Sequence, residues 1–157
     1  MNKLLLVSHA SGAPGLRIFG IGPRLFPIRG IKQLQHLLNE NTLWAQGRSI
    51  KDIKKMLSNS NVVVSLWKEN HLVGFGRAMS DEIYRAVLWD IVVDKNYQDS
   101  GLGKIIVSTI LKNDLVLKVE KVYLMTTNCT NFYSKMGFII ENNQTLMILN
   151  NDVSQKL

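Results

Sequence analysis

The sequence predicts a single α/β domain: two amphipathic helices, three consecutive strands, then a β-α-β-α-β tail. Three observations carry this. Apolar residues recur at helical spacing over 31–38 and 50–57, β-branched residues cluster in short runs over 62–93, and the pattern then alternates helix and strand. At 157 residues and 46% hydrophobic content the chain is long enough for one domain with a real core. No internal repeat or linker divides it, so residues 1–157 are read as one domain whose first 30 residues form a basic, loop-rich segment.

That segment opens with Leu4-Leu5-Leu6-Val7, too short an apolar stretch for a secretory signal, and continues through Gly12, Pro14, Gly15, Gly20, Gly22, Pro23 and Pro27, which favour loop with room for a short strand around 16–19. An ordinary flexible amino terminus is expected rather than a transit peptide. Ile31, Leu34, Leu37 and Leu38 mark the first helix, which ends near Asn39 to Asn41. Ser49 is the predicted N-cap of the second, with Asp52 three residues on and Ile50, Ile53, Met56 and Leu57 on its buried stripe. Strands are predicted at 62–67 and 72–79, joined by the polar Lys68 to His71, and a third ends at Val93. Short connections make these three antiparallel neighbours. A long helix over 102–117, a strand over 119–126, a helix over 129–136 and a closing pair at 138–140 and 145–149 complete the pattern.

Charge narrows the partners. Nineteen Lys and Arg against twelve Asp and Glu give +7, and the first acidic residue is Glu40. Such an excess suits nucleic acid, an anionic membrane or a polyanionic small ligand. No run of clustered basic residues with interleaved aromatics and no nucleic-acid-binding spacing is present, so no nucleic-acid partner is expected. No stretch approaches the roughly 18 apolar residues of a membrane span, and no membrane partner is expected. Cys129 is the sole cysteine, and His9, His36 and His71 are scattered, so no metal is expected.

The most informative stretch runs from Val92 to Lys104. A strand rich in β-branched residues gives way to Gln98-Asp99-Ser100-Gly101-Leu102-Gly103-Lys104 and then to a helix. At such a turn the first helical N–H groups lack partners, glycine lets a ligand approach the backbone, and the helix dipole favours an anion. The loop lacks the Gly-Lys-Ser/Thr ending of a nucleotide P-loop and the following acidic strand of a dinucleotide fold. Gln98-x-x-Gly101-x-Gly103 instead resembles the Gln/Arg-x-x-Gly-x-Gly/Ala loop of the GNAT acyltransferases, and Phe132-Tyr133-Ser134-Lys135-Met136-Gly137-Phe138 resembles that family's Phe/Leu-Tyr-x-x-x-Gly-Phe signature.

The resemblance implies a GNAT acyl-CoA N-acyltransferase fold, a mixed and mostly antiparallel sheet flanked by helices, with one splayed pair of parallel strands. It implies acetyl-CoA as acyl donor, with the amides of Asp99, Ser100, Gly101, Leu102 and Gly103 holding the pyrophosphate and Lys104 and Gln98 as further contacts. The pantetheine arm would bond to the backbone of Ile91, Val92 and Val93, and the Val92 N–H would polarise the thioester carbonyl. Tyr133 is then the candidate general acid for the departing thiolate; as a residue alone it reads rather as a core aromatic with a satisfied hydroxyl. Asp90 interrupts an apolar strand, where a charge is costly unless paired or used, and is the candidate general base or else a structural residue at a β-bulge. Asp81 and Glu82 are weaker candidates. Trp89-Asp90 also resembles the plastid and cyanobacterial subgroup that includes the plant serotonin (aralkylamine) N-acetyltransferases, where both positions lie on the acceptor side.

Two departures stand out. The family's Asn or Asp seven residues before the tyrosine is Thr126 here, which leaves Asn128 as the candidate for that cofactor contact. Cys129, at a predicted helix start, falls where a small packing residue is usual. The resemblance implies a transferase acting on a primary amine in a cytoplasmic or plastid stromal setting, with homodimers common. The acceptor is an arylalkylamine or a protein lysine or amino-terminal amine; a CoA-binding module without turnover is the alternative.

Overall fold

The computed structural model describes residues 4–9, 21–22 and 27–150. Its contacts fall into two units, Met1–Met125 and Thr126–Leu157. The first unit holds a five-stranded sheet of order β1-β2-β3-β4-β5: Leu4–His9, Val62–Lys68, His71–Ser80, Arg85–Val93 and Lys121–Tyr123. Neighbours are antiparallel except β4 and β5, which run parallel. This is the mixed sheet with one parallel pair that the resemblance implied.

Helix α1 spans Pro27–Asn41 and α2 spans Ile50–Ser58. The first begins at a proline, whose fixed φ suits a helix start, four residues before the predicted onset. Ser49 caps the second as expected, its Oγ accepting from the Asp52 N–H at 3.1 Å and donating to Oδ2 of Asp52 at 2.7 Å. Leu34, Leu38, Ile53 and Leu57 from these helices bury against Val63, Trp67, Phe75 and Val92 on one face of the sheet.

Helix α3, Leu102–Leu111, covers the other face. A Cβ built on Gly76 would lie 2.6 Å from Ile106 Cγ2 and 2.8 Å from Ile91 Cδ1, and one on Gly74 would lie 2.7 Å from Ile106 Cδ1. The two glycines of β3 therefore let α3 sit directly on the strand. The predicted helix over 102–117 is broken at Asn113, whose side chain accepts from the Leu115 N–H at 3.0 Å and starts the short α4, Asp114–Leu117.

Three other expectations change. The apolar start is strand β1, which pairs with β2 along Leu4 to His9; its side chains do not alternate in polarity, so periodicity missed it. The strand over 119–126 shortens to three residues. No strand occurs over 138–140 or 145–149, where Ile139, Ile140 and Leu146 to Leu149 are exposed. The proposed strand at 16–19 lies outside the described residues. Among the described residues no helix is long and apolar enough to cross a membrane.

The second unit contains α5, Thr130–Ser134. Gly137, at φ +91°, ends its last turn, and the Phe138 N–H bonds back to the Tyr133 carbonyl at 3.1 Å.

Candidate active site

Strand β4 pairs with β5 only from Arg85 to Val87, opposite Lys121 to Tyr123, so that ladder ends while β4 continues to Val93. Beyond Val87 the two parallel strands form no ladder. On its other side β4 carries a β-bulge: Phe75 pairs with Val92 and Arg77 with Trp89, leaving Gly76 opposite both Asp90 and Ile91. Asp90 takes φ +53° there, a left-handed value that Asp accepts better than most residues.

The phosphate-type loop follows. Asp94 accepts from the Asn96 N–H at 2.8 Å and starts the single 3-10 turn Lys95–Tyr97. Gln98 donates from Nε2 to the Val93 carbonyl at 3.2 Å, so its amide orders the loop. The Ser100 hydroxyl donates to the Tyr97 carbonyl. Lys95 N–H bonds to Oδ1 of Asn41, the last residue of α1, at 2.8 Å. Gly101, at φ +81°, is the N-cap of α3; it brings no side-chain cap, and no acid occupies the first turn. The first bond of the helix is Ile105 N–H to Gly101 O at 3.2 Å, so the N–H groups of Leu102, Gly103 and Lys104 have no helical partner. These donors lie at the positive end of a ten-residue helix, where an anion is favoured. Lys104 is exposed in its first turn, and Asp99 is exposed at φ +57°.

Asp90 is almost wholly buried, its side chain 2% exposed. Oδ2 accepts from Arg77 Nε at 2.6 Å and Oδ1 lies 3.1 Å from Arg48 Nη1. Arg77 also reaches Ser60 Oγ at 3.4 Å and lies over Trp89, 5.8 Å from its ring centre; Arg48 lies over Trp44 at the same distance. Both readings of Asp90, general base or structural residue at a bulge, meet this geometry. Each of its oxygens is committed to a guanidinium. The geometry suits the alternative, a carboxylate that pins the bulge. Asp81 is likewise occupied, since its Oδ1 accepts from the N–H groups of Ile83, Tyr84 and Arg85 within 2.7–3.0 Å. These bonds hold its carboxyl below the usual range. Glu82 is an exposed turn residue beside it.

Sequence reasoning missed Arg48 and Arg77. Arg77 carried the same signal as Asp90, a charge inside an apolar strand, and two such interruptions on adjacent strands of a hairpin invite pairing. Arg48 lies in a polar connection and gave no signal.

In the second unit, Tyr133 is buried with edge-on contacts to Phe132 and Phe138, ring centres 4.9 and 5.8 Å away. The Gly137 turn brings Phe138 back onto the tyrosine, which gives the spacing of that motif a physical reason. Burial first, then the nearby Cys129, push the Tyr133 phenol up to about 12. Thr126 Oγ1 accepts from the Cys129 N–H at 3.1 Å, so the residue that departs from the family pattern holds the turn leading into α5. Asn128 is exposed and accepts from Cys129 Sγ at 3.3 Å. The structure thus gathers Trp89 to Lys104 in the first unit, and Asn128 and Tyr133 in the second. Among the described residues no group of three His, Cys, Asp or Glu could hold a metal ion.

Comparison with known proteins agrees with this arrangement. The family model for the acetyltransferase (GNAT) domain matches residues 59–140, about half of the chain and spanning the boundary between the two units. The chain is 34% identical over 97 residues to an uncharacterized N-acetyltransferase, ycf52, of Porphyra purpurea, covering 59% of this chain and 56% of that protein. It is 32% identical over 114 residues to a ycf52-like N-acetyltransferase of Prochlorococcus marinus, covering 69% and 62%. A soybean protein named histone acetyltransferase TAP1 is 29% identical over 103 residues, covering 58% and 45%. The chain thus spans about half the length of the curated relatives it matches. A solved GNAT-family acetyltransferase of Streptococcus pneumoniae superposes with a TM-score of 0.70 at 20% identity, covering 95% of this chain and 98% of that one, a likeness of fold. With the family model matched over half its length and both motifs on the elements expected of them, this chain belongs to the GNAT acetyltransferase family.

Proposed function

We propose that this protein transfers the acetyl group of acetyl-CoA to a primary amine by direct attack within a ternary complex. The observation that carries this reading is the junction of β4 and α3. A strand edge beyond its ladder with β5 leads straight into an uncapped helix N-terminus, an arrangement suited to the arm and pyrophosphate of an acyl-CoA.

The amine nitrogen attacks the thioester carbon while the Val92 N–H steadies the developing oxyanion. The carbon–sulfur bond then breaks, the sulfur takes a proton from Tyr133, and the amine proton leaves to water. A phenol at about 12 remains protonated at any working pH. Full transfer to a thiolate near 8.5 is uphill by roughly 5 kcal/mol, so Tyr133 acts first as a hydrogen-bond donor to the leaving sulfur. Asp90 serves as a positioning residue that holds the bulge next to Val92.

The two tryptophans beside the arginine pair, Trp44 and Trp89, favour an aromatic acceptor, with arylalkylamines such as serotonin and tryptamine the first to try. A protein lysine or amino-terminal amine is the second reading, favoured by the name of the soybean relative. The test is thiol release from acetyl-CoA by wild type and Tyr133→Phe with tryptamine, serotonin, polyamines and lysine peptides. Amine-dependent release reduced at least about tenfold in the variant, or about 1.4 kcal/mol of barrier, is expected. Equal release in both would remove Tyr133 from the mechanism, and acetyl-CoA binding without any turnover would favour a CoA-binding module.

A further inference from the structure

Arg48 and Arg77 share one carboxylate, that of Asp90, so two guanidiniums face one negative charge. Arg77 is nearly enclosed, its side chain 11% exposed, but Arg48 is 30% exposed. Arg48 uses Nη1 for Asp90 and for Met56 Sδ at 3.4 Å. Among the described residues its Nε and Nη2 have no partner.

The chain segment that carries Arg48 is held firmly. The Arg48 carbonyl accepts from Gln35 Nε2 at 2.8 Å, the Gly47 N–H bonds to Asn39 Oδ1 at 3.0 Å, and the Ala45 N–H bonds to Thr42 Oγ1 at 3.2 Å. On this fixed connection Leu43 and Trp44 are 89% and 53% exposed. A guanidinium set on a rigid support, with donors turned outward and an indole beside it, is organised for an anion on an apolar body.

Its place relative to the strand edge matters. Cross-strand partners share a face, so Trp89 lies with Arg77, and Asp90 with the arginines, on the α1–α2 side of the sheet. Helix α3 covers the opposite side through Gly74 and Gly76. A carbonyl bonded to the edge of β4 lies near the plane of the sheet, and a nucleophile attacks it perpendicular to that plane. Trp89, Asp90 and Arg48 lie on the face opposite α3, and Arg48 is 30% exposed there.

We infer that the acceptor selected by this site carries a carboxylate close to its amine, and that Arg48 is the residue that reads it. The inference rests on the acetyl-transfer reading and replaces its first acceptors, since serotonin and tryptamine carry no carboxylate. An amine without an acid arrives as a cation beside a surplus cation, which is unfavourable. A zwitterion places its carboxylate on the free donors of Arg48, and the same surplus favours the neutral, nucleophilic form of its amine.

The test uses matched acceptors with wild type: tryptophan against tryptamine, phenylalanine against phenethylamine, and peptides beginning Met-Asp against Met-Asn. A wild-type kcat/KM at least about tenfold higher for the acidic member of a pair, mainly through KM, is expected from a charge-assisted contact. Preference within the amino acid pairs assigns an α-carboxylate, and preference within the peptide pair alone assigns an acidic side chain. Arg48→Gln should bring the ratio close to one, and Arg48→Lys should keep part of it. Turnover of amines with equal rates inside every pair, or a ratio unchanged in Arg48→Gln, would overturn the inference and leave acetyl transfer standing. No thiol release with any amine would remove both.

Discussion

Asp90→Asn removes the charge that Arg48 and Arg77 share while leaving a side chain of the same size, at a φ of +53° that Asn tolerates well. Deleting one partner of a buried ion pair costs about 3–5 kcal/mol, because the other charge stays out of water. The two arginines differ in how far that applies. Arg48, 30% exposed, can turn to solvent, so its loss is that of a surface pair, about 0–1 kcal/mol. Arg77, 11% exposed, cannot, and it carries most of the penalty. We therefore expect Asp90→Asn to cost about 3 kcal/mol and Arg48→Gln under about 1 kcal/mol. Urea unfolding followed by tryptophan fluorescence measures both, with an unchanged denaturant slope showing that the unfolded state is the same. At this chain length the larger loss lowers Tm by roughly 6–12 °C. A cost for Asp90→Asn below about 1 kcal/mol, or one matched by Arg48→Gln, would refute the assignment of Asp90 to a buried, shared ion pair.

Two further outcomes follow from packing and burial. Gly76→Ala puts a methyl within 3.0 Å of Ile106, Ile91 and Ile110 side-chain carbons; it should cost about 1–3 kcal/mol and weaken acetyl-CoA binding measured by calorimetry, since α3 must lift off β3. Unchanged affinity would mean that the seat of α3 does not set the loop. For Tyr133, the folded value of about 12 exceeds the ordinary value near 10, so the unfolded chain loses its proton first and stability falls as pH rises from about 10 to 12, by about 2–3 kcal/mol in all. Unfolding midpoints at pH 9, 10 and 11 should therefore drop more for wild type than for Tyr133→Phe above pH 10, and parallel curves would sink the burial account.

The residues that define the fold class spoke through short-range physics. Leu34 and Leu38 at helical spacing, Ser49 with Asp52 at a helix start, and the β-branched run of β2 each follow from local periodicity or capping, and each forms as expected. The loop glycine at 101 was legible for the same reason: a left-handed N-cap before an apolar helix has few alternatives. What stayed hidden depends on partners distant in sequence. Strand β1 exists because β2 pairs with it across more than fifty residues. Asp90 was visible as an anomaly, but its role depends on Arg77 and Arg48, neither of them near it in the chain. The role of Gly74 and Gly76 likewise depends on α3, which is seated on them.

The bulge in β4 acts as a change of parity. Before it, the even-numbered Ala86 and Leu88 pair with Ser80 and Ala78 on the face of α3; after it, the even-numbered Val92 pairs with Phe75 on the face of α1 and α2. Even-numbered residues are buried along the whole strand, so the alternation looks unbroken although the direction has reversed. One extra residue thus lets a single strand follow two side-chain rules, one for the half that pairs with β5 and one for the half that leads toward the start of α3. Deleting Ile91 would merge the two rules, turning Val92 and Asp90 toward opposite faces and leaving the arginines without their carboxylate.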